Sequence, residues 1–450
     1  MMRLSWTQPE DLVPHALVAA ELDGRDASGV RERWLAAGGA AEPAVSGATP
    51  EPASEELRSL ARGLLAELDR LPEPVTLREA EPEDLDAILA AAEPPERRGS
   101  RGADYADRVL GAWLGRASGC LLGKPVEKIP LEGIRAIGRA TGNWPLGSYF
   151  TEIGLDPHVA ARYPWNRRSR PTSLVENIDG MPEDDDLNFP LIALALLERV
   201  GRGFTTDDVA QSWLDSLPGG RVFTAERIVY RNLLDGYEPD EAGKVRNPFR
   251  DWIGAQIRTD VYGWASPGDP VAAARMAWTD ARLSHGRSGV YGAMFAAAAS
   301  AAAVAGAPID AVLETGLAVV PPRSRYAAAV RRGVELGRGG LGDEAAIDAL
   351  HAAYGHLHWV HVLNNAALLA FALARGAGDF ERTITLAVSG GWDTDSVGAT
   401  AGALAGAATG AKALPPRWID PLDDRLDTSV PGFAGTRFSD LAARTVEVSQ

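Results

Sequence analysis

The chain is almost without cysteine: Cys120 stands alone among 450 residues, so no internal disulfide can form. It also has no CxxC pair and no HExxH run, which removes the usual thiolate and paired-histidine zinc sites. Positive charge is in deficit. With 45 Lys and Arg against 61 Asp and Glu, the net charge of −16 opposes general attraction to nucleic acid or to an anionic membrane, and neither is expected as a partner. Met1 to Leu12 contains no basic segment leading into an apolar run, so the expected address is cytoplasmic. Long hydrophobic runs are scarce. Segments 289–308 and 397–414 approach membrane-spanning length, but Ala and Gly dominate them, and closely packed internal helices are the expectation. No convincing series of alternating strands can be found either.

What is present is a hydrophobic fraction of 46%, enough in a chain of this length to bury a sizeable core. Apolar residues recur at helical spacing from Asp104 onward, predicting helices near 104–121, 184–200, 207–216, 223–234, 270–284, 290–305, 309–318, 323–336, 344–354, 360–375 and 394–410. The fold class is all-α, with a single large helical domain over 101–450. Residues 1–100 read as a helical extension, in which Leu57, Leu60, Leu64, Leu65 and Leu68 form a helical stripe. Segment 38–56, rich in Gly, Pro, Ala and Ser, predicts a flexible linker, and a second break falls at 91–103.

Two acidic constellations carry the chemistry. Glu183, Asp184, Asp185 and Asp186 stand at the mouth of a helix that continues through Leu191, Leu194, Leu196 and Leu197. One acid would serve as a helix cap. Four repel one another: a pair about 5 Å apart at an effective dielectric near 20 costs roughly 3 kcal/mol. A solvated acidic turn and a divalent metal site both fit the run. The second constellation, SGGWDTDS at 389–396, places Asp393, Asp395 and Ser396 before another helix. On a regular helix Asp393 and Asp395 would diverge by about 200°, so they share an ion only if the first lies in the preceding loop. A turn with an N-cap is the alternative. Gly398, Gly402, Gly406 and Gly410 follow at intervals of four and make one smooth face for close helix packing. Hard oxygen ligands without soft partners suit Mg²⁺, Mn²⁺ or Ca²⁺ better than zinc.

With these motifs, the sequence resembles the ADP-ribosylglycohydrolase family over roughly 104–420. DRVLGAWLGRASGCLLGKPVE at 107–127 is similar to the family's N-terminal marker. The first metal motif, usually Thr-Asp-Asp, falls on Glu183, Asp184 and Asp185, with Glu183 in place of Thr. The second falls on Asp393, Asp395 and Ser396. The resemblance implies an all-helical enzyme with two divalent cations, Mg²⁺ or Mn²⁺, held by these six residues. GRSGVYGAM at 286–294 looks like the family's glycine-rich substrate loop, which implies substrate contacts from Ser288, Gly289, Tyr291 and Gly292; the Arg that often follows its Met is missing.

Glu127 aligns with an acid/base glutamate in part of the family, although Lys124 and Lys128 also permit a surface ion pair. The implied reaction is hydrolysis at the anomeric carbon of an ADP-ribosyl or related ribosyl group, with Glu127, Asp184 or Asp393 transferring the proton. Trp392 and Tyr291 suit either pocket or core. His361 reads as a core histidine, and Asn364, one turn on, as a possible substrate contact. The expected partner is an ADP-ribosylated protein or a free ADP-riboside or riboside. A non-catalytic binder is the remaining class, opposed by the retention of Asp184, Asp185, Asp393, Asp395 and Ser396.

Overall fold

In the computed structural model, residues 3–92, 94 and 101–450 are described, and they form helices joined by loops with only isolated β-bridges. The second break, 91–103, lies largely outside the described residues. The helices that matter for the site are α1 (Pro9–Leu22), α2 (Glu55–Leu68), α3 (Tyr105–Gly123), α4 (Asp185–Val200), α5 (Arg287–Val304), α6 (Arg325–Arg338), α7 (Val362–Gly376) and α8 (Thr394–Thr409). The two Ala/Gly-rich segments form α5 and α8, which are buried along nearly their whole lengths. Among the described residues no helix is long and apolar enough to cross a membrane.

The closest packing in the molecule is between α3 and α8, and glycine is its cause. Gly111, Gly115 and Gly119 of α3 face Gly406, Gly402 and Gly398 of α8 in antiparallel order. A Cβ on Gly119 would sit 1.9 Å from the Gly398 carbonyl oxygen, and one on Gly402 would sit 2.0 Å from that of Gly115. The helices therefore touch backbone to backbone, and no side chain can be inserted without moving one of them. Gly410, the last of the sequence series, has φ +84° and ends the helix beside Asp107. At the other end of the pair, the Thr394 hydroxyl donates to the Gly123 carbonyl at 2.8 Å, which fixes the mouth of α8 against the tail of α3.

The extension shares the hydrophobic core of the rest of the chain. Leu12, Val13 and Leu17 of α1 are buried, as are Leu64, Leu65 and Leu68 of the leucine stripe on α2. Segment 38–56 has no helix before Glu55, as its composition dictates, but it is tied down. Trp34 Nε1 donates to the Ala40 carbonyl at 2.8 Å, Thr49 N donates to Asp11 Oδ1 at 3.1 Å, and Trp6 N donates to the Gly47 carbonyl at 2.7 Å. Gly47 has φ +73°, and a Cβ there would collide with the Trp6 indole, so that turn requires glycine.

Candidate active site

Both acidic motifs open into one cavity of about 730 Å³, whose lining includes Glu127, Glu183, Asp184, Asp185, Asp393, Asp395 and Ser396. The α3–α8 pair explains half of this convergence. The tail of α3 runs through one tight turn, Lys124–Val126, into Glu127, directly beside the α8 mouth that carries Asp393 and Asp395. Arg116 supplies the other half. Fully buried in α3, it donates through Nε to the Asp186 carbonyl at 2.6 Å and through Nη1 to Asp260 Oδ2 at 2.6 Å, drawing the start of α4 onto the same helix. Ser396 Oγ then donates to Asp186 Oδ2 at 3.3 Å, a direct link between motifs 210 positions apart.

The carboxylates differ in their surroundings. Asp184 caps α4, accepting from Asp186 N at 2.9 Å through Oδ1, and its Oδ2 pairs with the Lys124 ammonium. Burial opposes its charge, but Lys124 outweighs burial and holds Asp184 below the ordinary carboxylate value. Burial and then like charge act the other way on its neighbours: Asp185, Asp186 and Asp393 are pushed well up, and Asp395 to about 7. Asp393 occupies the N-cap position of α8 yet makes no side-chain cap bond, with φ −89° and ψ 77°, and its carboxyl group meets that of Asp395 instead. Glu183 keeps a low value despite partial burial because Ser429, Asn188 at 3.1 Å and Arg221 all donate to it. Arg221 offsets the charge that Glu183 adds at its position.

The donor set suits an oxygen-seeking divalent cation. Asp184, Asp185, Asp186, Asp393, Asp395 and Glu127 outnumber the nearby ammonium groups of Lys124 and Lys128, and like charge adds to burial in raising Asp185, Asp186, Asp393 and Asp395. Cys120 Sγ lies within 4.8 Å of ligand oxygens of Asp184 and Asp186. Burial first and then those two acids push its thiol well up, which disfavours a thiolate there. The cluster presents hard carboxylate oxygens on two fixed helix mouths, which fits magnesium or manganese.

Glu127 also lines the cavity; its Oε2 accepts from Asn166 Nδ2 at 2.6 Å and its Oε1 pairs with Lys128 at 3.0 Å. The remaining sequence-derived site residues do not line this cavity. Ser288 N donates to Asp251 Oδ1 at 3.0 Å, and a Cβ on Gly289 would meet the Arg250 carbonyl at 2.3 Å. Gly292 packs against Gln256 and Val362, and the Tyr291 hydroxyl donates to the Pro82 carbonyl of the extension at 2.5 Å. The glycine-rich segment starts a helix and packs against residues 73–83, while its Gly286 and Arg287 line a second cavity beside α1. Asn364 is fully buried and donates to the His358 carbonyl at 3.2 Å, and Trp392 stacks on His351 at 4.1 Å. His361 is buried, caps α7 and is held neutral, as a core histidine should be.

Several residues at the site escaped the sequence reading. Asn365, next to Asn364, accepts from Asp393 N at 3.2 Å and so orients the second motif. Asp186 joins the two motifs, Asn166 holds Glu127, and Ser5, Trp6 and Ser46 of the extension line the cavity. Asp186 was visible as the fourth acid of the run. Nothing local marks the others, because their partners lie 28 or more positions away.

The family profile described as ADP-ribosylglycohydrolase matches residues 101–450, and the chain belongs to that family. The family consists of glycohydrolases that act on ADP-ribosylated substrates and generally depend on divalent metal. An uncharacterized protein of Archaeoglobus fulgidus is 26% identical over 317 residues, covering 69% of this chain and 90% of that protein. A solved structure described as an ADP-ribosylglycohydrolase-related protein complex is 26% identical, covers 77% of this chain and 99% of its own, and superposes with a TM-score of 0.48.

Proposed function

We propose that the chain hydrolyses the glycosidic bond at the anomeric carbon of a ribosyl group, with divalent cations held by Asp184, Asp185, Asp393, Asp395 and Ser396, and with Glu183 as a further ligand when Arg221 releases it. The observation that carries this reading is the meeting of the two acidic motifs at one cavity, with Ser396 Oγ bonded to Asp186 Oδ2. Bound cations would supply Lewis acidity, holding ribose hydroxyls and lowering the pKa of an attacking water. The chain's own residues do the rest. Glu127, oriented by Asn166 and Lys128, exchanges the proton; Asn365 fixes the Asp393 backbone; Arg116 fixes the start of α4. In hydrolysis the water oxygen bonds to the anomeric carbon, the bond to the leaving atom breaks, and the leaving group departs with a proton.

Product analysis tests the reading. Full-length protein is offered free ribosides and ADP-ribosides and ADP-ribosylated protein, with magnesium or manganese and then with a chelator. Release of a free ribosyl product, abolished by the chelator and restored by either ion, is the expected outcome. Zinc or iron as the only tightly held metal, or cleavage indifferent to the chelator, contradicts it.

A further inference from the structure

The acidic cavity also has a basic part. Arg167, Arg168 and Arg221 line it. Arg221 reaches Glu183, whereas among the described residues neither Arg167 nor Arg168 pairs with a carboxylate. Arg168 and Arg227 lie over the Phe223 ring, at 5.8 and 5.0 Å from its centre. Arg227 is only 4% exposed, and its guanidinium meets neutral acceptors alone: Ser5 O at 3.1 Å, Ser5 Oγ at 3.0 Å and Gly220 O at 3.5 Å. Its Nε is buried with no partner. A buried cation with no carboxylate in contact is costly, and an anion beside Arg168 and Arg227 would relieve it.

The extension helps to build this place. Arg227 ties down Ser5, and the next residue, Trp6, is locked edge-on against Phe249 and Trp252 at 5.5 and 5.6 Å. Ser5, Trp6 and Ser46 thereby become part of the cavity wall. A volume of about 730 Å³ is in the range of small-molecule sites. Half-buried Trp359 and Phe223 add rings that can face an aromatic leaving group.

We propose that Arg167, Arg168 and Arg221, backed by Arg227 and enclosed by the N-terminal extension, form a phosphate subsite, and that the substrate is a free riboside carrying a phosphomonoester. The inference rests on the ribosyl-hydrolase reading above. A phosphomonoester presents three oxygens to guanidinium groups, which match them in bidentate fashion. Arg221 bonds the residue immediately before Asp184, so phosphate and ribose are bound close together, as in a single small molecule.

The test is a calorimetric titration of ribose 5-phosphate and of ribose into the full-length protein in the presence of magnesium. Wild type should bind ribose 5-phosphate at least about tenfold more tightly, the factor that one charge-assisted hydrogen bond typically supplies. Arg167→Ala combined with Arg168→Ala, both at exposed positions, should remove most of that preference. Equal affinity for the two sugars, or a preference that survives the double variant, overturns the subsite. Cleavage of ribosides with no preference for a phosphorylated one overturns the subsite alone and leaves the hydrolase reading standing. Binding preference without cleavage of any riboside overturns the substrate assignment by way of the hydrolase reading. Release of ADP-ribose from modified protein as fast as cleavage of a free phosphorylated riboside overturns the assignment to a free substrate.

Discussion

The helix pair beneath the acids and the extension beside them are attached to the site by different forces. Between α3 and α8 there are mainly glycines and carbonyl oxygens, with charged groups at one end, where Arg108 donates to the Ala407 and Ala408 carbonyls and Asp107 stands beside Gly410. Between the extension and the rest of the chain there are, besides the shared apolar core, charges and rings. Glu81, 1% exposed, accepts from Arg325 N at 2.8 Å and from Arg325 Nε and Nη2 at 2.9 and 2.7 Å. Glu73 pairs with Arg287 and Glu83 with Arg250. A backbone seam holds carboxylates in one geometry against their mutual repulsion, whereas an interface of ion pairs responds to pH and salt. In the proposed reading, the acidic end of the cavity rests on the backbone seam, and the wall built by the extension rests in part on ion pairs.

The comparison can be broken from either side. On the seam side, Glu127→Gln should lower turnover by roughly 10² to 10⁴ with metal binding retained, the usual range for a proton-transferring group; an unchanged rate would return Glu127 to a plain ion pair with Lys128. Gly119→Ala should cost about 3 kcal/mol or more in a denaturant melt, because its new Cβ has no place beside the Gly398 carbonyl and the α8 mouth must move with the helix. A variant as stable as wild type would mean the seam opens more easily than described.

On the extension side, Glu81→Gln removes the carboxylate that accepts three hydrogen bonds from Arg325 and leaves the half-buried guanidinium with Asp23 at 3.1 Å, at a cost of about 2 kcal/mol. The effect should be local. Protease cleavage within residues 38–56 should accelerate, while the metal-induced stabilisation should persist. Equal loss of both would show that the two regions are one unit.

The smallest effect is that of pH. His15 of α1, His358 and His361 are pushed down by burial to about 4, about 3 and about 3 from an ordinary 6.5. Their folded values lie below the unfolded one, so their contribution is complete above pH 6.5 and is lost as pH falls toward 4. Asp251, pushed up by burial to about 6, has the opposite sense: its contribution is present below its ordinary 3.8 and is lost as pH rises through about 6. Asp69, raised by burial, acts with Asp251, whereas Glu73, held down against burial by Arg287, acts with the three histidines; the balance predicts that amides of α1, corrected for intrinsic exchange, exchange faster at pH 5 than at pH 7. No difference would show that the histidine burial is not coupled to holding the extension.

How far the sequence revealed this division follows from the range of each interaction. The helices from 104 onward were legible because amphipathic periodicity is local, and the observed spans Asp185–Val200 and Thr394–Thr409 begin at the expected acidic mouths. The glycine face of α8 was legible too, and its mate was in plain view, since Gly111, Gly115, Gly119 and Gly123 repeat at the same interval of four. That the two faces meet was not, because nothing in either stretch names its partner. The extension was read as helical without a location. Its contacts join residues more than 160 positions apart, such as Glu83 with Arg250, and single exposed-looking acids carry no mark of a buried partner. The glycine-rich segment 286–294 suggests a ligand loop by its pattern; its Tyr291 meets Pro82 of the extension and its Gly286 and Arg287 line a cavity apart from the acidic one, neither of which is marked locally.

The central claim is that Asp393 is a metal ligand and not a helix cap, and melting of wild type and Asp393→Asn with and without manganese tests it most directly. Wild type should gain stability with added ion, approximately 2.7 kcal/mol at one hundred times the dissociation constant. Asn is nearly as good a cap as Asp, and the substitution relieves repulsion from Asp395, so the variant without metal should be as stable as wild type or more so. It should lose most of the metal-induced gain. A variant that keeps the full manganese-induced shift would contradict the account.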